Sequence, residues 1–139
     1  MSAQVRHIWF GRFCILFLAA EWILFGSMHF TRHAETRAQV PDILPCPDLL
    51  VVVSGVLEVA TGILVLVPAV RRWAAWSSLL LLILLLPAMY KIMVDPAALT
   101  GSEAGNRLFR IVLLPNNMLM AICSIYLICR PAAALARRA

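Results

Sequence analysis

Charged residues are scarce in this sequence. Asp, Glu, Lys and Arg make up 14% of the 139 residues, whereas apolar and aromatic types make up 63%. An ordinary soluble domain carries roughly 25% charged residues, and a water-soluble chain this small could not bury so much apolar surface. The shortage of charge therefore excludes a soluble globular protein.

The charge that is present leaves four long stretches nearly free of it: residues 13–31, 49–70, 73–90 and 111–129. A helix that crosses a bilayer needs about 20 residues at a rise of about 1.5 Å per residue. We therefore predict an all-α polytopic membrane protein, a single domain over residues 1–139 that forms an antiparallel bundle of four transmembrane helices. The four spans are expected at about residues 12–30, 49–70, 73–93 and 108–129.

Several common sequence signals are missing. The chain has no C-x-x-C pair and no dinucleotide-binding fingerprint, so dithiol chemistry has weak support and any redox cofactor of that kind would belong to a partner. Arg6 and Arg12 precede an apolar stretch, as in a secretory signal. Glu21 and Trp22 interrupt that stretch, however, and no A-x-A-like cleavage site follows before His29. We interpret the stretch as a retained first span.

The basic residues lie at the ends of the predicted spans, so the net charge of +5 reflects membrane topology and not nucleic-acid binding. With four spans, both termini lie on one side of the membrane. That side collects seven arginines: Arg6, Arg12, Arg71, Arg72, Arg130, Arg137 and Arg138. The other side collects five basic residues, which acidic residues dilute: Arg32, Arg37, Lys91, Arg107 and Arg110. This asymmetry predicts cytoplasmic termini.

Glutamates interrupt the first two spans near their middles. An ionisable side chain at that depth costs about 2.5 to 3.5 kcal/mol on insertion scales and is a functional hypothesis by default. Four small residues share the helix face of Glu58: Ser54, Gly55, Thr61 and Gly62. Because such a stripe is a helix-packing surface, we predict that Glu58 points into the bundle. Glu21 is singled out by its depth alone.

Two interpretations of Glu21 and Glu58 remain open. As candidate catalytic residues, they carry protons or bind a polar ligand. Alternatively, each is neutral and joins helices through a backbone carbonyl or a Ser or Thr hydroxyl. If one carboxyl group carries the function, Glu58 is the better choice, because it has the small-residue stripe around it.

His29 and His33 are four residues apart near the outer end of span 1. This spacing places both imidazoles on one helical face, as metal or haem sites require. No third clear ligand lies nearby in the sequence, so no metal site is predicted. A solvated pair, or one hydrogen-bonded to Asp42 or Asp48, is the plainer interpretation.

A site for a quinone or another polar ligand is predicted from four residues: His29, Lys91, Arg110 and Asn116. Lys91 and Arg110 fall near the outer ends of spans 3 and 4, where they could equally reach lipid headgroups. Asn116 follows Pro115 inside span 4, where an amide either joins helices or lines a polar cavity. Pro115 itself frees the carbonyl of Ile111 and favours a local kink.

The order of these features resembles the DoxX-like family of four-helix membrane proteins, over about residues 10–130. The resemblance rests on Gly26-x-x-His29-Phe30 at the end of span 1, on the proline-rich segment 41–47, and on Gly55-x-x-Glu58-x-x-x-Gly62 before a basic turn. It implies a compact four-helix bundle with cytoplasmic termini, and a location in the bacterial inner membrane is expected.

Members of the DoxX-like family include a subunit of a thiosulfate:quinone oxidoreductase and proteins proposed to link thiol or oxidative-stress chemistry to the membrane. By this resemblance, the polar positions of the family fall on His29 and Glu58. In span 4, Arg110 with Asn116 and Asn117 departs from the arginine and glutamine that the resemblance leads us to expect.

The functional hypotheses belong to different classes of protein. The first is a small membrane subunit of a quinone- or thiol-linked redox system, with quinone as its candidate cofactor. The second is a non-enzymatic accessory or assembly subunit that packs in a larger membrane complex. A third is a channel for protons or small solutes. The expected partners are the lipid bilayer and either other membrane subunits or further copies of this chain.

Overall fold

The computed structural model describes residues 3–130, so the tail that contains Arg137 and Arg138 lies outside the described residues. All regular elements between these limits are helical, which confirms the all-α fold class. They are α1 (Ala3–Thr31), α2 (His33–Ala38), α3 (Pro47–Leu66), α4 (Arg71–Leu84), α5 (Leu86–Val94), a 3-10 turn at Pro96–Ala98, and α6 (Glu103–Cys129).

Helices α1, α3 and α6 are each long and apolar enough to cross a membrane. Helices α4 and α5 pass the same test only when taken together, with a bend of 41° between them, so the described residues contain three such helices, or four spans if the bent pair crosses as one. The chain is therefore an integral membrane protein whose apolar helices contact the lipid bilayer.

The prolines explain where the helices depart from the predicted bounds. Helix α3 ends at Leu66 and not at Val70, because Val67 precedes Pro68 and adopts an extended conformation. The third span breaks at Leu85, just before Pro87. Pro87 has no N–H to donate, and its ring crowds the carbonyl of Ile83, four residues earlier. Helix α6, in contrast, runs as one element through Pro115.

The long helices form a closed ring in cross-section. Helix α1 packs against α3 on one side and α6 on the other, and α4 completes the ring between α3 and α6. We call the end at which α1 begins and α6 ends the terminal end. The opposite end, which holds α2 and the 3-10 turn, is the loop end.

The core of the bundle is built mainly from apolar residues of α1, α4 and α6, among them Trp22, and Val65 of α3 joins them. Trp22 is buried, and its indole N–H donates to Ser78 Oγ of α4 at 2.8 Å. Ser78 is within 2.9 Å of Ser124 Oγ of α6, which donates to the carbonyl of Met120 at 2.8 Å. This chain of hydrogen bonds satisfies the buried polar groups and ties three spans together.

Candidate functional site

Glycines let α1 and α3 approach closely around Glu58. A Cβ atom on Gly55 would lie 2.7 Å from His29 Cβ, and one on Gly26 would lie 2.8 Å from the backbone nitrogen of Val59. Neither position can hold a larger residue without moving a helix. Glu58 lies in this α1–α3 seam with 1% of its surface exposed. The predicted burial of Glu58 behind a small-residue stripe is confirmed.

His29 is the neighbour that Glu58 faces across the seam. Its Nδ1 atom lies 2.9 Å from the carbonyl oxygen of Val51, and Ser54 Oγ lies 2.9 Å from the same nitrogen. A protonated Nδ1 donates to the Val51 carbonyl, whereas an unprotonated Nδ1 accepts from the Ser54 hydroxyl, so either tautomer is held at this edge. Helix α3 therefore fixes one edge of the imidazole and turns Nε2 toward Glu58.

The contact between His29 Nε2 and Glu58 Oε1 is 3.4 Å long. That is longer than a hydrogen bond of about 2.7 to 3.2 Å, and within residues 3–130 no group hydrogen-bonds this buried oxygen. A buried polar atom without a partner is costly and calls for an explanation. Glu58 Oε1 is thus free to exchange a proton with the imidazole or to meet a ligand.

When Nδ1 carries a proton, one further proton lies between His29 Nε2 and Glu58 Oε1 in each electrically neutral state of the pair. With its proton on Nδ1, a neutral imidazole faces a protonated carboxyl group, whereas an imidazolium faces a carboxylate. Losing that proton would leave a net charge inside the membrane, which is expensive. The pair can therefore hold one proton and pass it between two side chains without a change in net charge.

Glu21 lies at a different place in the bundle. It is partly exposed, and its Oε2 atom accepts a hydrogen bond of 2.9 Å from Asn116 Nδ2 on α6. Gly26 of α1 contacts Glu58 and so lies at the same depth. Glu21 lies between Ala19 and Ile23 of α1, and these two residues contact Gly62, which follows Glu58 by four residues on α3. The two carboxyl groups are thus about one helical turn apart in depth, and they face different helices.

Lys91 and Arg110 do not join His29. Lys91 Nζ donates to the carbonyl of Val40 and to Asp42 Oδ1, each at 3.0 Å. Arg110 donates from Nε to the carbonyl of Ile92 at 2.7 Å and from Nη2 to that of Asp95 at 3.0 Å, and so caps the end of α5. The four residues of the predicted ligand site therefore lie in four separate settings, with Asn116 beside Glu21.

His33 is also separate from His29. Its Nε2 atom lies 3.9 Å from Asp48 Oδ1, which is beyond hydrogen-bonding distance. Among the described residues, no group of three or more His, Cys, Asp or Glu side chains is placed to hold a metal ion. The i, i+4 spacing of the two histidines thus leads to two different sets of contacts.

Sequence reasoning missed a thiol pair in the α1–α6 seam. Cys14 and Cys123 are both fully buried, and their thiols lie close enough to interact electrostatically. Each lies seven residues, about two helical turns, from the contact between Glu21 and Asn116. The two equal spacings can be read from the sequence. They predict a contact between Cys14 and Cys123 only when the pairing of Glu21 with Asn116 is known, because that pairing fixes the register of α1 and α6.

Comparison with known proteins gives one match. The model of a family described as a domain of unknown function, DUF8561, matches residues 18–127. This range holds the pair His29 and Glu58 and the contact between Glu21 and Asn116. No curated protein and no solved structure matches the chain.

Proposed function

Because the chain belongs to the DUF8561 family, whose description assigns no activity, we propose a function from the site itself. The protein is a DoxX-like membrane subunit of a quinone-linked redox system, in which His29 and Glu58 exchange a proton with the ligand. It resides in a bacterial inner membrane with cytoplasmic termini and assembles with other membrane subunits or with further copies of itself.

The observation that carries this proposal is the buried, unpartnered Oε1 atom of Glu58 beside a titratable imidazole. A bound quinone supplies two-electron chemistry that is coupled to the uptake or release of protons. A quinone also dissolves in the apolar medium that surrounds this bundle. The donor set fits such a ligand, because its oxygens accept protons and its reduced form donates them.

The residues of this chain divide the work of the site. Val51 and Ser54 hold the imidazole at Nδ1, which leaves Nε2 as the nitrogen that takes part in transfer. Glu58 accepts a proton from Nε2 or returns one to it, so the charge of the pair stays neutral. The glycines of the α1–α3 seam keep the two side chains within reach.

The test measures quinone carried through purification. We expect protein extracted with its native lipids to retain an isoprenoid quinone in stoichiometric amount, and His29→Ala to lower that amount at least about tenfold, because the group facing the ligand is gone. His33→Ala is the matched control, since this imidazole lies four residues away and 38% exposed. A folded His29→Ala variant that retains as much quinone as the wild type contradicts the proposal.

A second candidate function is the accessory or assembly subunit. The observation in its favour is that Lys91, Arg110 and Asn116 all bond to groups of the bundle itself, which is what a purely structural set of polar residues does. In this case a partner subunit co-purifies in fixed stoichiometry without quinone, and His29→Ala leaves the turnover of the complex unchanged.

A further inference from the structure

A cavity of about 450 Å³ opens at the loop end, away from the α1–α3 seam. Its walls come from α2, from the segment between α2 and α3, from the first residue of α3 and from α5. Six apolar residues line it: Ala34, Ala38, Val40, Pro41, Leu44 and Pro47. The charged residues of the wall are Arg37, Asp42 and Lys91. The size lies within the usual range for small-ligand sites.

The cations of this cavity keep donors to spare. Lys91 uses two of the three donors of its ammonium group, on Val40 and Asp42, and its side chain is only 15% exposed. Arg37 contacts Asp48 Oδ1 through Nε at 3.1 Å, which leaves the Nη groups of the guanidinium. The bond to the Val40 carbonyl holds Lys91 in the wall whether or not Asp42 stays.

Asp42 occupies the position that a ligand anion would take. It accepts from Lys91 at 3.0 Å, yet its side chain is 97% exposed, so it can swing into solvent at little cost. Helix α3 begins in the same wall at Pro47, and its N-cap residue makes no capping hydrogen bond with its side chain. The positive end of the helix dipole therefore lies beside Lys91 and Arg37, and Asp48 in the first turn offsets part of its field.

The apolar side of the cavity indicates what accompanies the anion. Val40, Pro41 and Leu44 line it, and Ile43 on the same segment is 90% exposed. In an integral membrane protein, a segment at the ends of the spans that presents apolar side chains lies against the headgroup region. A phosphate that is attached to acyl chains could contact both the cations and the apolar wall, whereas a free phosphate ion could contact only the cations.

We propose that this cavity binds the phosphate of an anionic phospholipid, with Lys91 and Arg37 as its ligands and Asp42 as a displaceable internal substitute. The proposal is independent of the redox role. It assigns a use to Lys91 that the His29 site does not provide.

The test counts phosphatidylglycerol molecules retained by the purified chain in native mass spectrometry. We expect one tightly held lipid, and Lys91→Ala and Arg37→Ala should each weaken its binding about tenfold, the loss expected for one charge-assisted contact. Asp42→Ala should strengthen binding, because it removes the competitor for Lys91. Arg107→Ala is the control, since this 75% exposed cation at the same end pairs with Glu103 outside the cavity.

The Asp42 variant separates ligand binding from a merely structural role, because loss of a structural contact would not raise lipid affinity. Equal retention in wild type, Lys91→Ala and Asp42→Ala overturns the proposal. If inorganic phosphate at matched concentration displaces phosphatidylglycerol completely, the cavity recognises only the phosphate group, and the assignment to a lipid is wrong. Little displacement by inorganic phosphate supports the lipid as the source.

Discussion

Glu58 and Glu21 are the same side chain within one bundle, yet their surroundings give them different chemistry. Glu58 lies in the glycine-lined α1–α3 seam and faces an imidazole. Glu21 lies in the α1–α6 seam, remains partly exposed and accepts from the amide of Asn116. An imidazole exchanges protons, whereas an amide does not. Depth in the membrane sets the cost of a carboxyl group, and its neighbour decides what the group can do.

The largest expected effect is a loss of stability when the close contact between α1 and α3 is filled at Gly55, one turn before Glu58. A Cβ on Gly55 would lie 2.7 Å from His29 Cβ and 3.1 Å from the backbone oxygen of Gly26, and neither atom is the end of a flexible side chain. Gly55→Ala should therefore push α1 from α3 and lower the free energy of unfolding by about 1 to 3 kcal/mol or more. Denaturant titration in mixed micelles measures this change.

Gly105→Ala is the control for Gly55→Ala. In the first turn of α6, its Cβ would meet only Ser102 Oγ, at 3.1 Å. Alanine also favours the helix over glycine by roughly 0.5 to 1 kcal/mol, so this variant should match or exceed the wild type in stability. If both variants are equally destabilised, close packing of the α1–α3 seam is not the reason.

The second prediction concerns which of the two carboxyl groups carries an exchangeable proton. Glu58→Gln removes the group that shares a proton with His29, whereas Glu21→Gln keeps an oxygen that can accept from Asn116. In infrared spectra of the purified protein in detergent micelles, Glu58→Gln should abolish nearly all of the C=O band of protonated carboxyl groups in the membrane interior. Glu21→Gln should leave most of it unchanged.

One infrared result would contradict the assignment of the exchangeable proton to Glu58. A signal that survives in Glu58→Gln and disappears in Glu21→Gln would move the proton-carrying role to the α1–α6 seam. Thermal unfolding of both variants must stay near that of the wild type, because each replacement keeps the size of the side chain. The two variants serve as controls for each other.

The sequence predicted what depends on one helix and missed what depends on how two helices meet. Four apolar stretches predicted the spans, and the small residues around Glu58 predicted its burial, because both follow from composition and the helical period. The register between spans is set by packing along whole faces. For this reason the contacts of Glu58 with His29 and of Cys14 with Cys123 were not predicted.

Proline gives a second example of this limit. Pro68, Pro87 and Pro115 all lie within predicted spans, yet α3 ends before the first, the third span breaks beside the second, and α6 continues through the last. A proline removes the same hydrogen bond in each case. Whether the helix ends, bends or continues depends on the neighbouring helices that hold its two halves, and the sequence does not specify those contacts.

The smallest effect is expected from the bond between Glu21 and Asn116. Interhelical hydrogen bonds in membranes average about 0.6 kcal/mol and reach about 1.7 kcal/mol, because the separated helices find other partners. A double-mutant cycle with Glu21→Ala and Asn116→Ala should therefore give a coupling energy of about 0.6 kcal/mol. The same cycle on His29 and Glu58 should give a larger coupling although their contact of 3.4 Å is not a hydrogen bond, since the two groups share a proton and Glu58 is only 1% exposed. A coupling in the α1–α6 seam that equals or exceeds the one in the α1–α3 seam would mean that burial does not distinguish these carboxyl groups, and that the partner residue alone does.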